Sequence, residues 1–216
     1  MKINIDNKLW KLSYLARGGN ILAKQVWKPS TMLNPVPAVM VSCADKEGKP
    51  NIITLAWAGT INSDPPMVSI SIRKQRYSHA LITEKGEFVI NLSTKKLTFA
   101  TDFCGVKSGK DINKFEAMNL TPEKASIVGV PIIKESPVNL ECVVKQVIEL
   151  GSHDMFLAEV VATNVEEALL DESGKLDLSK ADLICYSHGE YYSLAKSLGF
   201  FGYSVTKRKN LKRNRK

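Results

Sequence analysis

The chain has 216 residues and is 44% hydrophobic, which is enough to build the core of one large domain or two small ones. Its formal net charge of +8 is concentrated at one end, because Lys207–Lys216 holds seven Lys or Arg and no acid and leaves the rest near +1 (+8 minus +7). Four scattered cysteines without a CxxC pair, three histidines and only short apolar runs disfavour zinc, iron–sulfur, disulfide-rich and membrane-spanning proteins, and with a polar N-terminus they favour a soluble cytoplasmic protein.

Short runs of β-branched and aromatic residues, separated by Gly, Pro, Asn and Asp, predict a chain that consists mostly of strands. The runs cover residues 38–44, 51–57, 67–72, 88–92, 138–150, 155–164 and 183–186. Three short helices are predicted between them, over residues 79–84, 95–103 and 111–118. Strands and helices do not alternate, which disfavours a parallel α/β sheet, and the short links between strands favour an antiparallel barrel with helical insertions.

Two details of these boundaries follow from turn and cap residues. Ala58–Pro66 is predicted to be a loop, since it contains Gly, Asn, Ser, Asp and a Pro-Pro pair. Ser93 and Thr94 are predicted to cap the helix that begins at Lys95, and Gly105 is predicted to end it.

A basic turn precedes the first of these helices. Arg73, Lys74 and Arg76 lie within four positions, and Ser78 follows just before the apolar run that starts at Ala80. Guanidinium groups form forked hydrogen bonds with phosphate, and the first turn of a helix offers free N–H groups, so this turn is a candidate phosphate site. The alternative interpretation is a solvated basic turn without a ligand.

The segment Cys104–Asp111 resembles a nucleotide-binding P-loop only superficially. Its glycines, Gly105 and Gly109, are one residue too close together, and Asp111 stands where Ser or Thr must reach magnesium. We therefore interpret the segment as a glycine-containing loop whose N–H groups and Lys110 approach an anionic ligand. No GxGxxG follows a strand, so a Rossmann dinucleotide fold has no support.

Three blocks of sequence together resemble one known family. They are Asn51–His79, Ala100–Phe115 and Gly151–Phe156, and the Asn34–Pro37 opening precedes them. In this order they resemble the flavin reductase-like, FMN-binding split β-barrel family, and most closely its flavoredoxin branch. The resemblance extends over residues 34–205 and is more specific than any one short motif.

The resemblance implies a fold and an organisation for the whole chain. The fold is mainly β, an antiparallel, Greek-key-like split barrel over residues 34–205 with short helical insertions. An N-terminal arm, residues 1–33, precedes it, and a basic disordered tail, residues 206–216, follows it. Proteins of this family usually form homodimers, and residues 1–33 and 191–205 are candidate contact arms.

FMN is the cofactor that the resemblance implies, and it assigns a set of residues to it. The residues assigned to the phosphate are Lys74, Arg76, Ser78 and Arg73. Those assigned to the edge of the isoalloxazine ring are Ala56, Trp57, Ala58, Gly59 and Thr60. Thr54 and Asn62 are assigned to the ribityl chain or ring, and Lys110 to a further contact with the ligand. Two more residues, Cys104 near the isoalloxazine and His153 near a nicotinamide, are tentative catalytic-site residues.

Several of these residues have a simpler alternative role. Thr54 and Asn62 are equally typical of side chains that cap the backbone, and Cys104 of an ordinary semi-buried thiol. His153, in a predicted hairpin turn, is otherwise a surface histidine. Trp57 is larger than the residue expected in the wider family, although it suits the flavoredoxin branch.

The sequence thus leads to three functional hypotheses. The first is an FMN-dependent oxidoreductase that passes electrons from NAD(P)H to free flavin, a ferric complex or a redox protein. The second is an FMN electron carrier that a protein donor such as ferredoxin reduces, without NAD(P)H activity of its own. The third is a non-catalytic split-barrel binding module; nucleic acid is a disfavoured partner, because no recognised nucleic-acid module accompanies the basic tail.

Overall fold

The computed structural model describes residues 24–206, which contain twelve strands and three α-helices. The strands are β1 (Val36–Pro37), β2 (Val39–Ala44), β3 (Pro50–Leu55), β4 (Ala58–Ser63), β5 (Pro66–Arg73), β6 (Glu87–Leu92), β7 (Pro122–Glu123), β8 (Ile132–Ile133), β9 (Val138–Glu149), β10 (His153–Val165), β11 (Ile184–Ser187) and β12 (Glu190–Ser193). The helices are α1 (Tyr77–Lys85), α2 (Thr98–Val106) and α3 (Lys114–Ala117).

Seven of the strands form one antiparallel sheet in the order β3-β2-β6-β9-β10-β5-β4. Strands β3 and β4 lie at opposite edges of this sheet, yet only Ala56 and Trp57 join them. Three virtual Cα–Cα bonds span at most about 11 Å, so the two edges must lie close together. The sheet therefore curls into a barrel that stays split between β3 and β4. Two small sheets, β1-β11-β12 and β7-β8, complete the architecture of the described residues.

Strand β2 is buried on both of its faces, which shows how the layers are arranged. Val39, Val41 and Cys43 belong to the core inside the barrel. Met40, which points the other way, packs in a second cluster with side chains of α2 and α3. Ala44 belongs to a third cluster under the segment that links β7 and β8. Burial on both faces explains why this strand is a nearly continuous apolar run.

Helix α1 begins after a tight turn in which the N–H of Arg76 donates to the carbonyl of Arg73 at 3.0 Å. Leu81 and Ile82 anchor the helix because they are buried in the barrel core. The helix ends at Gly86, whose φ of 71° lies in the left-handed region that favours glycine. Packing against the barrel thus fixes the position of the first turn of α1.

Glu141 of β9 is fully buried and holds the loop that follows β7 against the sheet. Its Oε1 accepts hydrogen bonds from Ser126 N–H and Asn164 Nδ2, both at 2.7 Å. Its Oε2 accepts from the N–H groups of Ile127 at 2.7 Å and Val128 at 3.0 Å. Burial acts to raise the pKa of Glu141, but these hydrogen bonds outweigh it and hold the pKa below its usual value. The carboxylate is therefore ionised at neutral pH.

The predicted fold class is confirmed, since the structure is mainly β and antiparallel with short helices. The predicted loop Ala58–Pro66 is wrong, because strand β4 occupies most of it. Thr94 makes no side-chain capping hydrogen bond, and a 3-10 turn, Lys95–Leu97, precedes α2. Gly105 lies inside the last turn of α2, which continues to Val106.

The ends of the chain are described only in part. Residues 24–34 contain no helix or strand. Most of the predicted N-terminal arm, residues 1–33, and of the predicted basic tail, residues 206–216, lies outside the described residues. Among residues 24–206, no helix is long and apolar enough to cross a membrane.

Candidate functional site

A cavity of about 100 Å³ lies where the start of α1, the end of α2 and α3 come together. Arg76 and Ser78 line it from the α1 side, and Asn51 lines it from β3. Gly109, in the loop after α2, and Lys114 of α3 form the remaining wall. Three cationic residues, Arg76, Lys107 and Lys114, thus line a space of the size of a small polyatomic anion.

The first turn of α1 adds hydrogen-bond donors to this cavity. Its N-cap position is Arg76, no side chain caps it, and its first turn contains no acidic residue. The uncapped N–H groups and the positive end of the helix dipole favour an anion there. The Arg76 guanidinium also donates to the Gly105 carbonyl at 2.5 Å, which ties the start of α1 to the end of α2. Ser78 Oγ accepts from Asn51 Nδ2 at 2.8 Å, which holds this hydroxyl in the cavity wall.

Lys114 is a buried lysine, with 3% of its surface exposed. Its Nζ donates to the Ile52 carbonyl at 2.6 Å and to the Cys104 carbonyl at 2.9 Å. An ammonium has three N–H groups, so one remains for a ligand. Among residues 24–206, no carboxylate oxygen lies within 4.0 Å of this Nζ. Burial lowers the pKa of Lys114 to about 8, and the charge of Arg76 acts in the same direction.

The loop that follows α2 requires a glycine at position 109 because it passes close to Asn51. A Cβ atom at this position would lie 2.0 Å from Oδ1 of Asn51 and 2.6 Å from its Cγ. The loop therefore packs directly on the Asn51 amide, which in turn positions Ser78 through its hydrogen bond. Any larger residue at position 109 displaces the loop or the amide from the cavity wall.

Trp57 and His153 meet at the open edge of the barrel. Their rings are 4.6 Å apart between centroids and tilted by 44°. Trp57 lies in the link between β3 and β4, and His153 begins β10, where it pairs in register with Arg73 of β5. Burial, and then the charge of Arg73, hold the pKa of His153 below its usual value, so that it is neutral at pH 7. The structure thus brings together two predicted site residues that are far apart in sequence.

The segment Ala56–Thr60, predicted for the ring edge, consists of this link and the first half of β4. Because β4 is an edge strand of the sheet, its backbone groups on the side away from β5 have no strand partner among residues 24–206. Gly59 is exposed, and a Cβ atom there would meet nothing within 4 Å. Free N–H and C=O groups in an open strip are what a planar, amide-like ring edge needs.

The four predicted phosphate residues separate into two groups in the structure. Arg76 and Ser78 line the cavity, as described. Lys74 instead lies with its Nζ 2.6 Å from Glu149 Oε2 and 3.4 Å from Asp154 Oδ1. The fourth residue, Arg73, pairs in register with His153 and does not line the cavity.

The other predicted residues have the following contacts. Thr54 Oγ1 donates to the Thr101 carbonyl of α2, and Asn62 Nδ2 donates to the Pro65 carbonyl in the β4–β5 turn at 2.8 Å. Cys104 is completely buried, and burial raises the pKa of its thiol to about 11. Lys110 is exposed and lies just beyond the loop residues that line the cavity.

Sequence reasoning missed Lys114 as a site residue. It lies within the block Ala100–Phe115 that carries the family resemblance, but it is followed by Phe115 in a pattern that also fits an ordinary amphipathic turn. Its burial depends on contacts with β3, 62 residues earlier in the chain. Only the tertiary structure distinguishes it from the exposed Lys110.

The fold is a split antiparallel barrel with a cationic cavity at the start of α1, and comparisons with known proteins identify its family. A family model described as flavin reductase like domain matches residues 32–195. The chain belongs to this flavin reductase-like family, which confirms the resemblance.

Individual relatives are similar over most of their length. Flavoredoxin of Desulfovibrio vulgaris (Miyazaki F) is 30% identical, with a TM-score of 0.80 over 85% of this chain and 100% of that chain. Flavoredoxin from Methanosarcina acetivorans is 27% identical, with a TM-score of 0.77 and the same coverage of 85% and 100%. A relative of unassigned function from Archaeoglobus fulgidus is 34% identical over 152 residues, which are 70% of this chain and 85% of that protein.

Proposed function

We propose that this protein is an FMN-binding oxidoreductase that takes electrons from NAD(P)H and passes them to a flavin, a ferric complex or a redox protein. One observation supports the proposal above the others. A cavity lined by three cationic residues, one of them a buried lysine without a carboxylate partner among the described residues, opens beside helix α1 on a flavin reductase-like barrel. A buried ammonium is costly unless an anion accompanies it, so the cavity fits a ligand phosphate.

The residues present fit the phosphate of FMN. Arg76 supplies a guanidinium, Ser78 a hydroxyl and the first turn of α1 its uncapped N–H groups. Lys114 supplies its third N–H from the opposite wall. Together these groups would hold a dianion without a metal ion.

The open edge of the barrel fits the ring system. The unpaired backbone groups of Ala56–Thr60 would bind the polar edge of the isoalloxazine, and Gly59 leaves room for close approach. Trp57 and His153 would border the ring and exclude water from it. Because His153 is neutral, it adds no second positive charge beside Arg73 where a nicotinamide would lie.

Bound FMN would supply the hydride and electron chemistry, which side chains alone cannot perform. The contribution of this chain is then to bind the cofactor, orient its reactive edge and control access to it. Hydride transfer requires no general base or nucleophile. Consistent with this, burial raises the pKa of the nearby Cys104 thiol to about 11, which makes it a poor nucleophile at neutral pH.

A second candidate function is an FMN electron carrier that a redox protein reduces. The similarity to two flavoredoxins over 85% of this chain favours it. Such a carrier needs the same phosphate cavity and ring edge but no nicotinamide site. The two candidates therefore bind FMN in the same way, and they differ in whether a nicotinamide binds beside His153.

Anaerobic spectroscopy of the purified protein tests both candidates. Flavin absorption bands that bleach after addition of NADPH or NADH support the reductase, and bands that persist until a reduced redox protein is added support the carrier. In the first case, His153→Ala, measured with saturating FMN, should slow bleaching by NAD(P)H about tenfold, in line with the loss of a positioning contact. His188→Asn, in the exposed turn between β11 and β12, is the matched control. A protein that neither contains nor binds FMN would refute the proposal.

We also propose that the protein is a homodimer. Strand β4 is an exposed sheet edge, and proteins generally cover such edges. The segment after β12 exposes large apolar side chains, namely Leu194, Leu198, Phe201 and Val205. Light scattering coupled to size exclusion gives the mass directly, and a monomer of 23.9 kDa at micromolar concentration would contradict the proposal.

A further inference from the structure

The Lys114 ammonium donates two hydrogen bonds but has no anion beside it among the described residues. Two of its three N–H groups donate to the carbonyls of Ile52 and Cys104, and these carbonyls carry only partial negative charge. The amine is buried, and it lies in the wall of the cavity rather than behind it. In the described part of the chain, no acidic side chain neutralises it.

The other groups that face this amine do not compensate its charge. Arg76, from the start of α1, is a second cation and destabilises the ammonium, and Lys107, from the loop after α2, is a third cation in the same cavity wall. Cys104 of α2 and Cys43 of β2 are thiols, whose burial raises their pKa values to about 11 and about 12. Asn51 of β3 is neutral. Without a ligand, the ammonium therefore loses its proton more easily than an exposed lysine, with a pKa of about 8.

We propose that Lys114 selects a phosphate dianion in this cavity and that binding of FMN is coupled to protonation of its amine. This inference rests on the proposed function and goes beyond it. The proton comes from solvent: a neutral amine and one proton become an ammonium that donates its third N–H to the phosphate. A flavin without a phosphate provides no dianion and takes up no proton.

The coupling has a measurable size. With a pKa of about 8 in the free protein and full protonation in the complex, the FMN dissociation constant rises about tenfold between pH 7 and pH 9. At pH 9, binding takes up about 0.9 proton per FMN. The thiols of Cys43 and Cys104 do not ionise in this range, and the phosphate is already a dianion.

The experiment is a fluorescence titration of the apoprotein with FMN and with riboflavin from pH 7 to pH 9. Any titration of the ring system affects both ligands, so the ratio of their dissociation constants isolates the phosphate. Calorimetry in buffers of different ionisation enthalpy counts the protons directly. We expect the ratio to change about tenfold for the wild type, with riboflavin binding nearly independent of pH.

Two variants separate the charge of Lys114 from its titration. Lys114→Arg keeps a cation that never deprotonates in this range, so FMN affinity should become independent of pH. Lys114→Met removes the cation and should weaken FMN binding about tenfold or more at pH 7 while riboflavin binding changes little. Lys96→Met, an exposed lysine in the 3-10 turn before α2, should retain the wild-type pH dependence. Circular dichroism verifies that each variant is folded. If Lys114→Met does not fold, the comparison of the wild type with Lys114→Arg still tests the coupling.

The outcomes distinguish this inference from the proposed function. FMN that binds with the same affinity from pH 7 to pH 9, or a pH dependence that persists in Lys114→Arg, overturns the role of Lys114 and leaves the cofactor assignment intact. Failure of FMN to bind at any pH overturns both.

Discussion

Glu141→Gln tests whether the buried carboxylate of β9 organises the barrel wall in the way its contacts indicate. Each carboxylate oxygen accepts two hydrogen bonds, Oε1 from Ser126 and Asn164, and Oε2 from Ile127 and Val128. A glutamine has one oxygen and one NH2 group. Its NH2 faces either the N–H groups of Ile127 and Val128, or Ser126 N–H and the Asn164 amide, which can turn to offer its oxygen instead, so one or two of the four hydrogen bonds are lost.

The magnitude follows from the number of hydrogen bonds lost. A hydrogen bond to a charged group contributes about 1.5–3 kcal/mol, so the loss of one or two is about 1.5–6 kcal/mol in the free energy of unfolding. The upper part of this range is a large share of the 5–15 kcal/mol that stabilises a typical domain. At a urea dependence of about 2 kcal/mol per molar, the unfolding midpoint should fall by about 0.75–3 M.

Urea denaturation monitored by circular dichroism measures this change. Glu159→Gln is the matched control, because Glu159 on β10 forms a partly exposed ion pair with Lys145 at 2.8 Å. Exposed pairs of this kind contribute about 1 kcal/mol or less. If Glu141→Gln costs no more than Glu159→Gln, the loop after β7 is held by packing and the hydrogen-bond argument is wrong.

The same carboxylate predicts a pH dependence of stability. The pKa of Glu141 is lowered in the folded state, so its contribution is fully present above the unfolded-state pKa, near 4.5. The contribution is lost as the pH falls through the lower, folded-state value. Wild-type stability should therefore decrease below about pH 4.5, and Glu141→Gln should decrease less steeply there.

Two further substitutions test the cavity. Arg76→Met should raise the FMN dissociation constant about 10- to 100-fold in a fluorescence titration, with riboflavin affected little, because one charge-assisted phosphate contact is lost. An equal loss for both flavins would instead place the guanidinium at the ring. Gly109→Ala places a methyl group 2.0 Å from Asn51 Oδ1 and should lower stability by about 1–3 kcal/mol and weaken FMN binding. An unchanged unfolding midpoint together with unchanged FMN affinity would show that the loop accommodates the methyl group freely.

The sequence predicted the fold class and most strands because buried strands contain runs of apolar, β-branched residues that can be recognised locally. Strands such as β9 and β10 are rich in Val and Ile, and their predicted and observed boundaries agree within a few residues. Strand β4 was predicted as a loop for the opposite reason. It is an edge strand with five exposed residues, so nothing selects apolar side chains at its positions and its sequence, AGTINS, is typical of a turn.

From the residues alone, the candidate site was predictable only where neighbours in sequence are also neighbours in space, whereas Trp57 and His153 were predicted from the family resemblance. Arg76 and Ser78 belong to one helix start, and local pattern sufficed to predict them. Lys74 is next to them in sequence, but its acidic partners Glu149 and Asp154 come from the β9–β10 hairpin, 75 and 80 residues later (149 minus 74 and 154 minus 74). No local signal distinguishes a lysine paired in this way from one free to bind phosphate.

The two-residue link between β3 and β4 has a consequence for how the protein folds. Three hairpins form from neighbouring segments, namely β2–β3, β4–β5 and β9–β10. The barrel closes only when β5 pairs with β10. This pairing joins Arg73 and His153, which are 80 residues apart (153 minus 73). Within the seven-stranded sheet this pairing spans the most residues, so it bears the largest loop-closure entropy there and tends to form late. Trp57 meets His153 only after this closure, so their contact is absent while β5 and β10 are still apart. A ligand that contacts both residues binds only the closed barrel and therefore stabilises it. At a free ligand concentration of about 100 times the dissociation constant, the closed state gains about 2.7 kcal/mol.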